Sequence, residues 1–331
     1  MKILVAGGFL GKTKEDRATL QPSPEAVLVR ALEGLDENVC GIGLKDWRKF
    51  FKGRSDVVHI HHMSKMAVIA ALVNRRMVFT HHSAEYSTQG IRRLAEWVVW
   101  RCAARVVCLS QTEEAEKLAL FPCLEHKTCV IPNAVVPVAL AESCRTWDGN
   151  SRFVIASVGQ LIELKRVSLA IESLTRLPPN FVLEVTYHND ALEGDLRALA
   201  ADLGVQHRVR FLGRAAGREL AERYGRAHML LLTSRTESLP SVVTEALMAG
   251  MPVVATAVGA VEEQVGSAGI CVQLSDSRYD EAILRVASNY GEYARRAHVR
   301  GMELAQRTSE AMALQHLELY RSLFTKGEKC G

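Results

Sequence analysis

Short apolar runs rich in β-branched residues recur along the chain, and a helical pattern follows each. In the first part they are residues 3–6, 39–44, 57–61, 77–80, 105–109 and 128–131, and in the second 153–158, 181–186, 209–212, 229–233, 252–256 and 270–274. Continuous apolar strands alternating with helices predict parallel sheets covered on both faces. Two such sets predict an α/β protein of two facing, Rossmann-like, doubly wound domains with an interdomain cleft. The break falls after Ile131-Pro132-Asn133, in a weakly periodic stretch ending at Trp147-Asp148-Gly149-Asn150-Ser151. The expected divisions are 1–145, 146–308 and a closing helix in 309–331 that packs back toward the N-terminal domain. Its apolar residues Met312, Leu317, Leu319, Tyr320 and Leu323 lie near helical spacing.

Composition narrows the class. The 331 residues are 48% hydrophobic and 24% charged, a globular balance. No apolar run approaches the ~20 residues of a membrane-spanning helix, and the first strand meets glycine too early for a signal peptide. The 8 cysteines form no Cys-x-x-Cys pair, and Cys108, Cys129 and Cys271 sit in apolar runs. That favours a reducing, cytoplasmic setting without disulfides or a metal. The net charge of +4 is uneven: residues 1–137 carry 19 Lys/Arg against 14 Asp/Glu. This bias suits an anionic contact but is too weak for a nucleic-acid binder.

In open parallel sheets, ligands gather beyond the carboxyl ends of strands, where loops feed helix N-termini. The segment Ser234-Arg235-Thr236-Glu237-Ser238-Leu239-Pro240-Ser241-Val242-Val243-Thr244-Glu245 follows the strand at 229–233. Pro240 suits the first turn of a helix and Gly250 its end. Free N–H groups around Leu239–Val243 would then make an anion site fit for a diphosphate. A carboxylate accepts from two neighbouring hydroxyls, so Glu245 suits a ribose diol and Glu237 the hydroxyls of a sugar. Both glutamates would equally suit a solvated helix start. After the strand at 153–158 comes Gly159-Gln160-Leu161-Ile162-Glu163-Leu164-Lys165-Arg166, a glycine turn into a second helix. Cations there oppose the helix dipole, which favours a role for Lys165 and Arg166 in stabilising a departing diphosphate over simple solvation.

These segments resemble the retaining glycosyltransferases of family 4, which have the GT-B fold. Glu237 and Glu245 match that family's Glu-x7-Glu motif, and Lys165 falls on its phosphate-binding lysine. The likeness extends through Phe211-Leu212-Gly213, Pro252–Thr256 and Val258–Glu263, and to Asp56–His61, Thr80-His81-His82 and Ile131-Pro132-Asn133 in the first half. The resemblance implies a metal-independent retaining transferase (a hexosyltransferase) working by front-side displacement. Its donor would be a nucleotide-diphosphate sugar, and its acceptor a glycan or lipid-linked molecule of cell-surface polysaccharide or lipopolysaccharide assembly. It implies catalytic roles for His82, Glu237 and Lys165, and a donor site of Gly159, Gln160, Lys165, Arg166, Ser238, Leu239, Pro240, Ser241, Val242 and Glu245. Gln160 departs from the family's common arginine, and Tyr187-His188-Asn189-Asp190 from its glycine-rich turn. A nucleotide-sugar epimerase and a non-catalytic sugar-nucleotide binder are the alternatives.

Three features stand outside this set. Ala6–Thr13 approximates a P-loop, but the segment 13–21 makes a poor helix and prolines 22 and 24 cut it off. Gly7, Gly8 and Gly11 remain as a substrate-loop expectation. His59, His61 and His62 read as strand-end packing. Lys45–Arg54 mixes five cations with Trp47, Phe50 and Phe51 at helical spacing. It would either bury its aromatic stripe or rest on the anionic inner face of the cytoplasmic membrane. Arg92, Arg93, Trp97, Trp100 and Arg101 form a weaker counterpart.

Overall fold

The computed structural model describes residues 1–12, 23–52, 54–80, 82, 90–135 and 139–325. The chain divides into two compact units, Met1–Ala134 with Arg307–Gly331, and Val135–Gln306. All twelve expected strands form. The N-terminal unit holds β1 (Lys2–Gly7), α1 (Pro24–Gly34), β2 (Asn38–Gly43), α2 (Trp47–Lys52), β3 (Val57–His61), α3 (Lys65–Val73) and β4 (Met77–Thr80). It continues with α4 (Gly90–Cys102), β5 (Arg105–Cys108), α5 (Gln111–Leu120) and β6 (Thr128–Val130). The C-terminal unit holds β7 (Phe153–Gly159), α6 (Val167–Ser173), β8 (Phe181–Tyr187), α7 (Glu193–Asp202), β9 (Val209–Gly213), α8 (Gly217–Arg226) and β10 (Met229–Leu232). Then come α9 (Ser241–Met248), β11 (Val253–Thr256), α10 (Val261–Val265), β12 (Gly269–Val272), α11 (Tyr279–Ser288) and α12 (Tyr290–Ala305), and α13 (Ser309–Thr325) returns to the N-terminal unit.

Each sheet has six strands, all parallel, in the orders β2-β1-β3-β4-β5-β6 and β12-β11-β10-β7-β8-β9. Alternate residues of each strand enter two separate cores, as the period of 2 demands. In the first sheet Leu4, Val58, Ile60 and Phe79 join Trp100 on one face. Ile3, Val5, Val57 and Val78 face Leu28 and Leu32 of α1 and Met312, Leu317 and Tyr320 of α13 on the other. In the second sheet Phe153, Ile155 and Leu183 pack with α6 and α11, while Val154, Leu230 and Leu232 pack with α8, α9 and α12.

One boundary differs from the sequence expectation of 1–145. Val135, Ala139, Ala141 and Arg145 belong with the C-terminal unit. Ala141 donates to the Met248 carbonyl, and the Arg145 guanidinium donates to the carbonyls of Tyr224, Ala227 and Ala249. A half-buried guanidinium thus gathers carbonyls at the ends of α8 and α9 and before β10.

Candidate functional site

The C-terminal unit brings its predicted residues together at the carboxyl ends of β7 and β10. Gly159 ends β7, and a side chain there would meet the aliphatic stem of Lys165 at 3.9 Å. Leu161 is buried and donates to the Asn189 carbonyl, so the turn is anchored to the loop after β8. A single 3-10 turn over Glu163–Lys165 then lifts the lysine over the strand ends. Its ammonium meets Glu237 Oε1 at 2.6 Å, with the two side chains 26% and 11% exposed. An ammonium carries three donors, so two remain after this pair and can meet phosphate oxygens. Ser157, Gly159, Gln160, Lys165, Thr233 and Ser234 line one hollow. The Ser234 hydroxyl is fully buried and has no partner among the described residues.

The geometry corrects the expectation for Arg166. This residue takes the left-handed conformation, with φ at 45°. Its guanidinium is turned into the protein, donating to the Thr233 carbonyl at 2.8 Å and to the hydroxyls of Thr256 and Tyr279. It ties β10 and β11 to α11 and is no free phosphate cation. Thr233 completes the tie, its hydroxyl lying 2.9 Å from the carbonyls of both Lys165 and Arg166.

Glu237 is held from behind by a glycine that the sequence reading did not single out for a role. Gly259 has φ at 52°, and a side chain there would come within 2.0 Å of the Glu237 carbonyl oxygen. The next residue, Ala260, donates its N–H to the Ser238 carbonyl at 2.9 Å. Gln264 donates to the Pro240 carbonyl and the Thr244 hydroxyl, fixing the start of α9. Pro240 caps that helix without a side-chain bond, so its first N–H groups keep the partial positive charge of a helix start. Ser238, Leu239 and Val242 are half-buried and Ser241 exposed beside it.

Glu245 is not a solvated surface residue. It is 4% exposed, and the Tyr224 hydroxyl donates to its Oε2 at 2.9 Å. Burial pushes its carboxyl above the ordinary value, against the opposing pull of that hydroxyl bond. Sequence spacing found Glu245 but not Tyr224, which lies on α8 and reaches it only through the fold.

The N-terminal unit places its candidates differently. His82 is half-buried, and its Nε2 lies 2.8 Å from Nδ1 of the buried His61. His59 beside them is fully buried between Tyr320 of α13 and Thr80. Desolvation first, then neighbouring imidazoles, lowers His59 and His61 well below the ordinary histidine value. The strand-end packing reading thus fits His59 and His61. His81 lies outside the described residues.

Two of the three loop glycines are glycine for internal reasons, which corrects the substrate-loop expectation. A side chain at Gly7 would come within 2.3 Å of Glu25, whose Oε1 accepts the Phe9 N–H. One at Gly11 would meet the Gly43 backbone at 3.0 Å. Gly8 alone faces open space. The segment 13–22 lies outside the described residues.

The basic aromatic helix α2 divides its rings. Phe50 is buried, while Phe51 is 65% exposed and stacked on Trp47 among the exposed Lys45, Arg48, Lys49, Lys52 and Arg54. Gly53 lies outside the described residues. On α4, Trp97 is exposed but Trp100 is fully buried, which removes Trp100 from any surface contact. Among the described residues no helix is long and apolar enough to cross a membrane, and no three His, Cys, Asp or Glu side chains gather as metal ligands.

Comparison with known proteins fits this geometry. Residues 148–301 match the family described as "Glycosyl transferases group 1", and residues 28–137 match "Glycosyltransferase Family 4". The chain belongs to the group 1 glycosyltransferases. It is 34% identical over 137 residues to a D-inositol 3-phosphate glycosyltransferase of Corynebacterium urealyticum, matching 40% of this chain and 32% of that one. The chain therefore spans about a third of that relative's length. The sucrose-phosphate synthase of Thermosynechococcus elongatus superposes with a TM-score of 0.79 at 18% identity, covering 99% of this chain and 100% of that one. Anabaena HepE, solved in complex with UDP-glucose, gives 0.71 at 19% identity over 97% and 100%. These two likenesses show the fold, which is GT-B.

Proposed function

We propose that the chain is a retaining glycosyltransferase that uses a nucleotide-diphosphate sugar without a metal ion. The observation that carries this reading is the Lys165–Glu237 pair at 2.6 Å beside the start of α9. A cation and helix N–H groups receive the diphosphate, while the carboxylate beside them receives sugar hydroxyls. Buried Glu245 holds the ribose diol, and His82 meets the transferred sugar. As the bond from the anomeric carbon to the phosphate oxygen breaks, negative charge grows on the diphosphate. Lys165 and the α9 N–H groups stabilise that charge. The acceptor oxygen bonds to the anomeric carbon on the same face, and its proton passes to the departing phosphate oxygen. No protein base is needed in this scheme. The acceptor is a glycan or lipid-linked molecule, and UDP-sugars are the leading donors because Anabaena HepE was solved with UDP-glucose.

The test is to follow nucleotide release and the anomeric configuration of the product by NMR, in EDTA. We expect nucleotide release to require an acceptor and the product to keep the donor's configuration. An inverted product would contradict the front-side scheme. Interconversion of donor sugars without nucleotide release would instead identify an epimerase.

A further inference from the structure

His61 and His82 share one hydrogen bond, Nδ1 of His61 to Nε2 of His82 at 2.8 Å, with ring centroids 5.1 Å apart and ring planes 11° from parallel. Two neutral imidazoles can share such a bond in only two ways, because each carries one ring hydrogen. The remaining nitrogen of His61 decides between them. Its Nε2 is buried and has no partner among the described residues, on a residue that is 3% exposed. If His61 accepted at Nδ1, its hydrogen would sit on Nε2 as a buried N–H with no acceptor. Such orphan donors are rarer than orphan acceptors in folded proteins. If His61 donates from Nδ1, only a lone pair is left unmatched. Charging His61 would satisfy neither nitrogen better, and burial opposes it.

We infer that His61 is a positioning residue: its Nδ1–H donates to Nε2 of His82 and so fixes the His82 hydrogen on Nδ1. Free histidine prefers the opposite tautomer, with hydrogen on Nε2, so the surrounding fold is required to hold this one. His61 is itself placed firmly. It follows His59 on the same face of β3, with ring centroids 4.2 Å apart, and His59 is clamped between Tyr320 and Thr80. His62 also lies against His82, at 4.8 Å, on a residue with φ at 74°. The inference rests on the reading that His82 meets the transferred sugar. In that reading the sugar meets a neutral ring with its single N–H at Nδ1. No ring rotation or proton exchange then separates binding from transfer, and pre-organisation of this kind is what a supporting partner supplies.

The experiment is 15N NMR of histidine-labelled protein at pH 7.5, with the His82 signals assigned by their loss in His82→Ala. We expect His82 to show a protonated Nδ1 and an unprotonated Nε2. In His61→Phe the hydrogen should return to Nε2, and transfer should fall about tenfold. In His61→Asn, whose amide nitrogen can stand where Nδ1 stood, the Nδ1–H tautomer and most of the transfer rate should return. A protonated Nε2 on His82 in the unaltered protein would overturn the assignment. Unreduced transfer by His82→Ala would overturn the sugar contact, and the positioning role with it. That failure is distinguishable because the tautomer is measured without substrate.

Discussion

Replacing Lys165 with alanine is expected to lower kcat about 100- to 1000-fold, the usual effect of deleting one charge-stabilising donor from a reaction centre. The folded protein should lose little, about 1 kcal/mol or less, because the ion pair it forms with Glu237 is partly open to water. Lys165→Arg should recover only part of the rate. The stem of Lys165 runs over Gly159, at 3.9 Å from where a side chain would begin, and a planar fork does not fit that path as an ammonium does. A Lys165→Ala variant with near-normal kcat would remove this residue from the chemistry.

The second large effect is expected at a residue that touches no substrate. Gly259→Ala would drive a methyl group to 2.0 Å from the Glu237 carbonyl oxygen, and backbone cannot yield as a side chain can. The backbone at φ 52° adds strain of about 1–2 kcal/mol for any residue with a Cβ. The loop bearing Glu237 and Ser238 must then shift. A displacement of ~1 Å at a positioning group costs about 100-fold in rate. Gly266→Ala is the control. It has the same φ of 52° but open space around it, so it should cost stability while leaving transfer intact. Equal loss of transfer in both variants would assign the effect to general destabilisation.

The sheets were legible because parallel strands buried on both faces leave continuous apolar runs, and each of the twelve predicted strands formed. The Glu237–Glu245 spacing was legible for a similar reason, since one loop and one helix carry both residues. What could not be read was where side chains turn once the backbone is fixed. Arg166 looked like a phosphate cation from its place beside Lys165. Its left-handed backbone instead aims the guanidinium at Thr233, Thr256 and Tyr279, residues distant in sequence. Gly7 and Gly11 looked like ligand-approach glycines, yet Glu25 and Gly43 occupy the space beside them. Tyr224 and Gln264 left no local signal, because each acts on α9 from another helix.

Donor binding in the absence of metal tests the central claim most directly. Thermal unfolding is followed in EDTA with UDP-, GDP- and ADP-sugars, on the unaltered protein and on Glu245→Gln, which keeps the shape of the buried side chain. One nucleotide class should raise the melting temperature of the unaltered protein, and Glu245→Gln should lose most of that rise. No stabilisation by any nucleotide sugar, or the same stabilisation in the variant, would contradict the account.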